Sequence, residues 1–449
     1  MTEICFYNGL REIGGTFVEV RTDKAKCMFD FGFAVAGRMD EKIKKRKDDL
    51  AADYVRLGML APADGIYDGK TAEKLDLAAY GKTKEECFFL ISHMHIDHMG
   101  GLGMLDDCIP VYMSDASLRL YRRLEAAGDI QERGHENCIG VAYGGSFQIK
   151  DITVKVLPID HDVIGACGFL ITTQDGSICY TGDYRFHGFH PEVTRAFAQS
   201  VAGADVLITE GVTVSFSEVD MLSLKEPEEE RTETSLQNEM RKLALEEKGL
   251  LVINPYNRNV ERVHRLLETF EKAGRRLVLD GRLASYVEEF YPNDRLCVYE
   301  RTASEGGTSK REIVTRQELS ACPGRYVLQL DYTDMYELID LKDAVSRYIH
   351  MDGAPLGSYD VSYQKMLDLL ELLEIPYDFK SLGGHAEPYG LRWMADTIAP
   401  GVLVPLHSER PEQVRSMKAG KQFLPNYGDC YILKKSHLEK VIDEKEENE

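Results

Sequence analysis

Short apolar runs separated by turns dominate the opening third of the chain. "EICFYN", "GTFVEVRT" and "KCMFDFG" place apolar side chains at alternating or continuous positions between turn residues, the pattern of a hairpin-rich sheet. A helical patch is expected at about 41–58, "ECFFLIS" reads as a buried strand, and "MGGLGML" as the start of a helix. "PVYMS", "ITVKVLPID", "CGFLITT", "SICYTGD" and "DVLITEG" continue the strand series with helical segments between several of them. The layout is α/β with one face of each sheet covered.

After Gly211 the texture changes to a Glu-rich connector, a long helix near 231–248, and the units "GLLVINP", a helix over 258–273 and "RRLVLDGR". That alternation predicts a small parallel α/β domain. Beyond about 360 come the helix "SYQKMLDLLELLE", the segment "YDFKSLGGHAEP", a helix containing Trp393 and the strand "GVLVPLHSE". No internal repeat interrupts the pattern.

Composition adds limits. With 449 residues, 43% hydrophobic and 29% charged, the chain can bury two domain cores. No apolar run is long enough to cross a bilayer, and "MTEICFYNGLREIGG" lacks the basic flank and apolar core of a signal peptide, so a cytoplasmic protein with no membrane partner is expected. Ten cysteines stand singly and read as reduced, mostly buried thiols. A net charge of −21 counts against a general nucleic-acid binder. Much of it sits in "KEPEEERTE" (225–233) and "DEKEENE" (443–449), which are expected to be solvated and remote from a cleft, so a local basic channel stays open. "KIKKRKDD" from Lys42 is expected to form the wet side of an amphipathic helix.

The chemistry concentrates in "FLISHMHIDHMGG". Alternate residues of an extended segment point the same way, so His93 and His95 can share one ion, while Asp97 and His98 on the turn beyond can address a second. Imidazole nitrogen and carboxylate oxygen suit zinc, with manganese or iron as substitutes. Gly100, Gly101, Gly383 and Gly384 stand beside candidate ligands, where backbone can approach closely.

H-x-H-x-D-H after a buried strand resembles the signature of the metallo-β-lactamase superfamily. "PIDHDVIGACGF" supplies His161 and "ICYTGDYRFHG" supplies Asp183 in the expected order. The resemblance implies an αββα sandwich in which His93, His95 and His161 hold one metal, Asp97 and His98 the other, and Asp183 spans both. "LITEG" with Glu210, "LGGHAEP" with His385 and "LVPLHSE" with His407 are similar to the β-CASP nucleases, in which an α/β cap is inserted in the core. "LREIGG" and "NRNVERVHRLLETFEKAGRRLVLDGR" are further similar to ribonuclease J, over nearly the whole chain. The implied division is a core from 1–211, a cap from 212–365 and a return to the core from 366–449. In that family Glu210 and His385 would flank the scissile phosphate and His407 would complete the second metal site, with Asp97 and Asp183 counted among the catalytic groups.

There are departures. The separate C-terminal domain of ribonuclease J is not expected after His407. Where the nucleases have a small Gly/Ser loop gripping phosphate, this chain reads "VLQLDYTDMYE" (327–337), whose acidic, bulky residues would repel it. "APLGSYD" (354–360) offers Gly357 and Ser358 as phosphate-facing candidates, or a helix start capped by Ser358. Asp162 follows His161 where serine is common in relatives. These weigh against an exonuclease grip on an RNA 5′ end. His187 and His190 are expected to be structural, as are His135, His264, His350 and His437.

The leading expectation is a two-metal hydrolase, zinc or manganese dependent, cleaving single-stranded RNA, with DNA as a further substrate and a homodimer left open. Two others stand beside it: a metallo-hydrolase of a small ester, lactone or phosphodiester, and a non-catalytic partner in RNA processing.

Overall fold

Alternation decides which way each strand faces, and in the computed structural model it builds two sheets stacked face to face. The structure describes residues 1–33, 43–130, 132–216, 218–228, 230–305 and 311–441. The first sheet has eight strands, in the order Leu438–Lys440, Cys430–Leu433, Glu3–Asn8, Phe17–Arg21, Ala25–Phe29, Glu86–Leu90, Val111–Ser114 and Cys138–Val141. Its antiparallel half, joined by tight turns, gives way to a parallel half from Glu86–Leu90 onward. The second sheet has seven, in the order Lys421–Gln422, Val402–Leu406, Val206–Glu210, Ser177–Tyr180, Cys167–Thr172, Ile152–Pro158 and Ser146–Ile149.

Period-two burial fills the space between them. Ile4, Phe6, Val18, Val20, Phe29, Phe88 and Leu90 from one sheet meet Val154, Val156, Phe169, Ile171, Ile178, Val206, Ile208 and Val404 from the other. Each such side chain contributes roughly 1.5–3 kcal/mol on full burial. The opposite faces are covered by helices. Met28, Phe89, Val111 and Met113 lie under Leu50–Arg56, Gly69–Leu75 and Asp115–Ala126, while Cys179, Leu207 and Leu403 lie under Pro191–Ser200 and Pro388–Ile398. Helix, sheet, sheet, helix is the αββα sandwich.

A third sheet, entirely parallel, runs Glu312–Val314, Cys297–Tyr299, Arg276–Leu279, Tyr326–Gln329, Leu250–Pro255, Val345–Met351 and Tyr377–Phe379. Its interior strand "LLVINP" is buried at every position because helices cover both faces. Helix Asp115–Ala126 of the sandwich packs on helix Gly281–Phe290 of this unit, and Glu289 there receives Arg119 and Arg123.

Several expectations need correction. The third sheet ends with Tyr377–Phe379, so the expected boundary at 365 falls inside helix Val361–Leu372, before the sheet's last strand. Val214 and Met221 still pack with the sandwich, so the expected start at 212 is also early. The segment after Lys42 is not helical until Lys47, because its charges have no apolar stripe to bury; Lys42 itself lies outside the described residues, as does "DEKEENE". The expected helix at "MGGLGML" begins earlier, as the single turn Ile96–Met99 followed by a 3-10 turn at Leu102–Met104. Cys5 and Cys430, opposite each other on antiparallel strands, are disulfide-bonded rather than reduced, a pairing hidden by 425 residues of sequence. Glu233, in the connector expected to be solvated, is fully buried. Among the described residues no helix is long and apolar enough to cross a membrane.

Candidate metal centre

Strand ends assemble the site. His93 follows Glu86–Leu90, His161 follows Ile152–Pro158, Asp183 follows Ser177–Tyr180, Glu210 closes Val206–Glu210 and His407 follows Val402–Leu406. Apolar runs carry each strand through the core, and these residues, each within three positions of its strand end, meet at one shared edge. Asp97 and His98 occupy the turn Ile96–Met99. His407 and Asp30 hold positive φ, 53° and 58°. For non-glycine residues such backbone costs about 1–3 kcal/mol and persists where surrounding structure imposes it.

The donors converge in three groups, the first and last sharing Asp183: His93, His95, His161 and Asp183; Asp97, His98 and His407; Asp183, Glu210 and His385. In each, the facing atoms lie within 4.8 Å of one another. Asp183 Oδ2 is central, 3.1 Å from His98 Nε2, 3.4 Å from His407 Nε2, 3.8 Å from His93 Nε2 and 3.7 Å from His385 Nδ1. Asp97 Oδ2 stands 3.6 Å from both His98 Nε2 and His407 Nε2. The structure thus brings together every residue named as a ligand, and Glu210 with His385.

A surrounding layer sets which ring nitrogen faces inward. His98 Nδ1–H donates to Asp30 Oδ2 at 2.7 Å, and His161 Nδ1–H to the Gly384 carbonyl at 2.6 Å. Ser92 Oγ donates to Asp30 at 2.8 Å, so the 2.9 Å contact from His93 Nδ1 must donate to Ser92. Thr16 Oγ1 stands 3.1 Å from His407 Nδ1. With Nδ1 engaged as a donor, the Nε2 atoms of His93, His98 and His161 each present a lone pair, whereas His407 Nδ1 accepts from Gly14 N–H at 3.2 Å. Tyr180 also donates to Asp30. Asp30, Ser92 and Thr16 escaped sequence reading; the polar end of the apolar run "KCMFD" was the available signal for Asp30.

The electrostatics follow the same lines. Burial, with His98 and His161 close by, pushes the His93 imidazole well below its ordinary range, and burial brings His161 down to about 3 despite Asp162. These two rings are therefore neutral. Burial opposes ionisation of Asp183, but His407 and His98 hold its carboxyl well below the usual range. His385 goes the other way: against burial, Glu210 at 3.0 Å and Asp183 raise it to about 10.

Whether these residues fit a cation is decided by what their inner atoms touch. His93 Nε2, His95 Nε2, His98 Nε2, His407 Nε2, Asp183 Oδ2 and Asp162 Oδ1 are buried and have no hydrogen-bond partner among the described residues. Each such group costs about 1–3 kcal/mol, so six together rival the ~5–15 kcal/mol by which a whole protein is stable. Two divalent cations held among them would satisfy all six, and nitrogen with carboxylate oxygen is the matching donor chemistry. The residues present fit the metals that the sequence implies.

The third unit leans on this centre. Tyr256 follows Leu250–Pro255 and packs edge-on to His95, ring centroids 5.2 Å apart. Arg258 donates to the carbonyls of Met94 and Asp129, clamping the metal-binding turn. Gly357 and Ser358 make no hydrogen bond to the ligand set among the described residues, and the helix after them is capped by Asp360, not Ser358. His187 Nε2 meets the Leu382 carbonyl at 3.0 Å and His350 Nε2 that of Pro355 at 2.9 Å, both structural contacts.

Comparison with known proteins agrees with this geometry. The model of a β-lactamase superfamily domain matches residues 88–242. The chain is 22% identical over 400 residues to ribonuclease J 2 of Streptococcus pyogenes, covering 82% of this chain and 68% of that protein. It is 21% identical over 473 residues to ribonuclease J of Mycoplasma genitalium (99% and 74%), and 25% identical over 215 residues to ribonuclease J of Pyrococcus abyssi (46% and 46%). A solved protein of unknown function from Enterococcus faecalis V583 superposes with a TM-score of 0.81 at 27% identity, covering 96% of this chain and 100% of that one. The chain thus carries a match to a β-lactamase superfamily domain and is similar to ribonuclease J proteins over most of its length.

Proposed function

We propose that the protein is a two-metal-dependent hydrolase that cleaves phosphodiester bonds of single-stranded RNA. The observation that carries this is the joining of two donor groups through Asp183, with the Glu210–His385 pair against the same carboxylate. Zinc suits the histidine-rich donor set, and manganese is the alternative. His93, His95 and His161 would hold one ion, Asp97, His98 and His407 the other, with Asp183 shared. Two divalent ions bound there supply activation of water near neutral pH and neutralisation of phosphoryl oxygens.

The chain's own groups do the rest. Glu210 fixes His385 by accepting from Nδ1–H, leaving Nε2 as the ring's other donor on a side chain that keeps 24% exposure. A protonated His385 can hydrogen-bond a phosphoryl oxygen and hand its Nε2 proton to the leaving oxygen. His95, Asp97 and His385 retain exposure while His93 and His98 have almost none, so substrate enters from their side. The ribonuclease J relatives supply RNA as the substrate class.

A small-molecule substrate is the second reading, favoured by the net charge of −21 and the acidic residues of "VLQLDYTDMYE", which would repel a polyanion. Both readings are tested on 5′-phosphorylated and 5′-hydroxyl RNA and DNA strands with defined metals. Cleavage of RNA is expected, with affinity falling steeply as salt rises; a flat salt response would favour the small substrate. The double variant Asp97→Ala, His98→Ala should lose turnover by at least ~10³-fold, since one metal position loses two donors. Undiminished activity in it would refute the centre.

A further inference from the structure

Asp162 is the one acidic side chain at the centre to which no role has been given. It follows His161, yet its carboxylate turns inward: the residue is 8% exposed, and Oδ1 lies 3.1 Å from His95 Nε2 and 3.3 Å from His161 Nε2. At those distances a carboxylate collinear with a ring N–H would be hydrogen-bonded. Oδ1 is not; it has no hydrogen-bond partner among the described residues, and neither has His95 Nε2. Asp162 Oδ1 and His95 Nε2 are thus two adjacent buried polar atoms that a cation between them would satisfy. The surroundings are built for it. A Cβ on Gly384 would stand 2.8 Å from Asp162 Cγ, 2.9 Å from Oδ1 and 2.7 Å from His161 Cε1, so that position leaves room only for the carboxylate and ring.

We infer that Asp162 supplies an additional oxygen donor to the ion held by His93, His95 and His161, and biases that position toward manganese over zinc. The inference rests on the metal centre proposed above. Zinc is best served by four donors rich in nitrogen and sulfur, whereas a further carboxylate favours cations that take more oxygen, manganese among them. With Asp183 shared by both positions, Asp162 brings this one to five donors, two carboxylates beside three imidazoles, while Asp97, His98, His407 and Asp183 offer the second ion the four that suit zinc. The two positions thereby differ in preference.

The test uses the full chain, stripped of metal and reloaded with manganese, zinc or both, with bound metal measured by mass spectrometry and affinities by competition against a chelating dye. Wild type should bind two ions. Asp162→Asn and Asp162→Ser should each lose manganese affinity at one position by ten-fold or more while zinc affinity changes less than three-fold, and Asp162→Glu should restore part of the manganese binding. Thermal melting of the metal-free proteins checks folding. Equal loss of both metals would show Asp162 to be a positioning residue for His95 and overturn the inference, as would unchanged manganese-to-zinc selectivity in both variants. Wild type binding less than one ion would instead remove the metal centre itself.

Discussion

Gly32 has no room for a side chain. A Cβ there would fall 1.8 Å from the Asp97 carbonyl carbon, 1.9 Å from its oxygen and 2.2 Å from His98 N. The turn holding two ligands is therefore laid directly on the backbone that follows Ala25–Phe29, and Phe31 N donates to the His98 carbonyl at 2.7 Å. Gly32→Ala is expected to push that turn outward. A shift near 1 Å at reacting groups costs about 10²-fold in rate, and bound metal should fall below two ions per chain. Full metal content with full activity would show that the turn can retreat without consequence. The sequence motif named the candidate ligands; this contact tells why they stand where they do.

At the scale of elements, helix Gly281–Phe290 depends on a buried cap. Asp280 accepts from Leu283 N at 2.8 Å and is 7% exposed. Burial pushes its carboxyl up to about 6, although the Leu283 amide and Arg282 pull down. The sign follows directly. Between pH ~4 and ~6 the folded protein keeps a proton that the unfolded chain releases, so stability from this group is present below that window and lost as pH rises through it. Asn caps as well as Asp and carries no charge to desolvate. Asp280→Asn should be more stable than wild type at pH 8 by ~2–3 kcal/mol at most, with the difference closing toward pH 4. Denaturation midpoints at both pH values measure it, and a pH-independent difference would mean the carboxylate stays ionised.

Across the whole molecule, one buried ion group joins sandwich to third unit. Glu233 receives Arg185 at 2.9 Å, from just beyond Asp183, and Arg262 at 2.9 Å, from helix Val260–Lys272. Arg262 also reaches Asp352 at 2.7 Å, and Asp352 holds Leu382 N, while Arg185 donates to the Gly383 carbonyl; the loop carrying His385 is thus tied to both units. All three charged residues, Arg185, Glu233 and Arg262, are buried. Removing one partner of such a group leaves charges without compensation and costs ~3–5 kcal/mol. Glu233→Gln should lower unfolding stability by that amount and reduce turnover through the His385 loop; a loss below ~1 kcal/mol would show that water or another acid replaces it.

The candidate donors and their order were legible in the sequence because each member ends an apolar run or sits in a dense motif, and both signals are local. So were most strands, whose apolar patterning is driven by burial on both sides of the sheets. The helix at 388–398 and the strands around "LLVINP" follow for the same reason. What only the tertiary structure decided involves partners far apart in the chain. Asp30 reaches His98 across 68 residues, His161 reaches Gly384 across 223, and Glu233 finds its two arginines 29 and 48 residues away. Asp162 belongs to this second class. Beside His161 in sequence it was a departure from a family pattern, and only the crossing of His95 and Gly384 over it shows where its oxygen points. Local sequence specifies which side chains must leave water; pairing of polar groups inside the protein depends on which distant segments the closed fold brings within 3 Å or so, and no single segment encodes that.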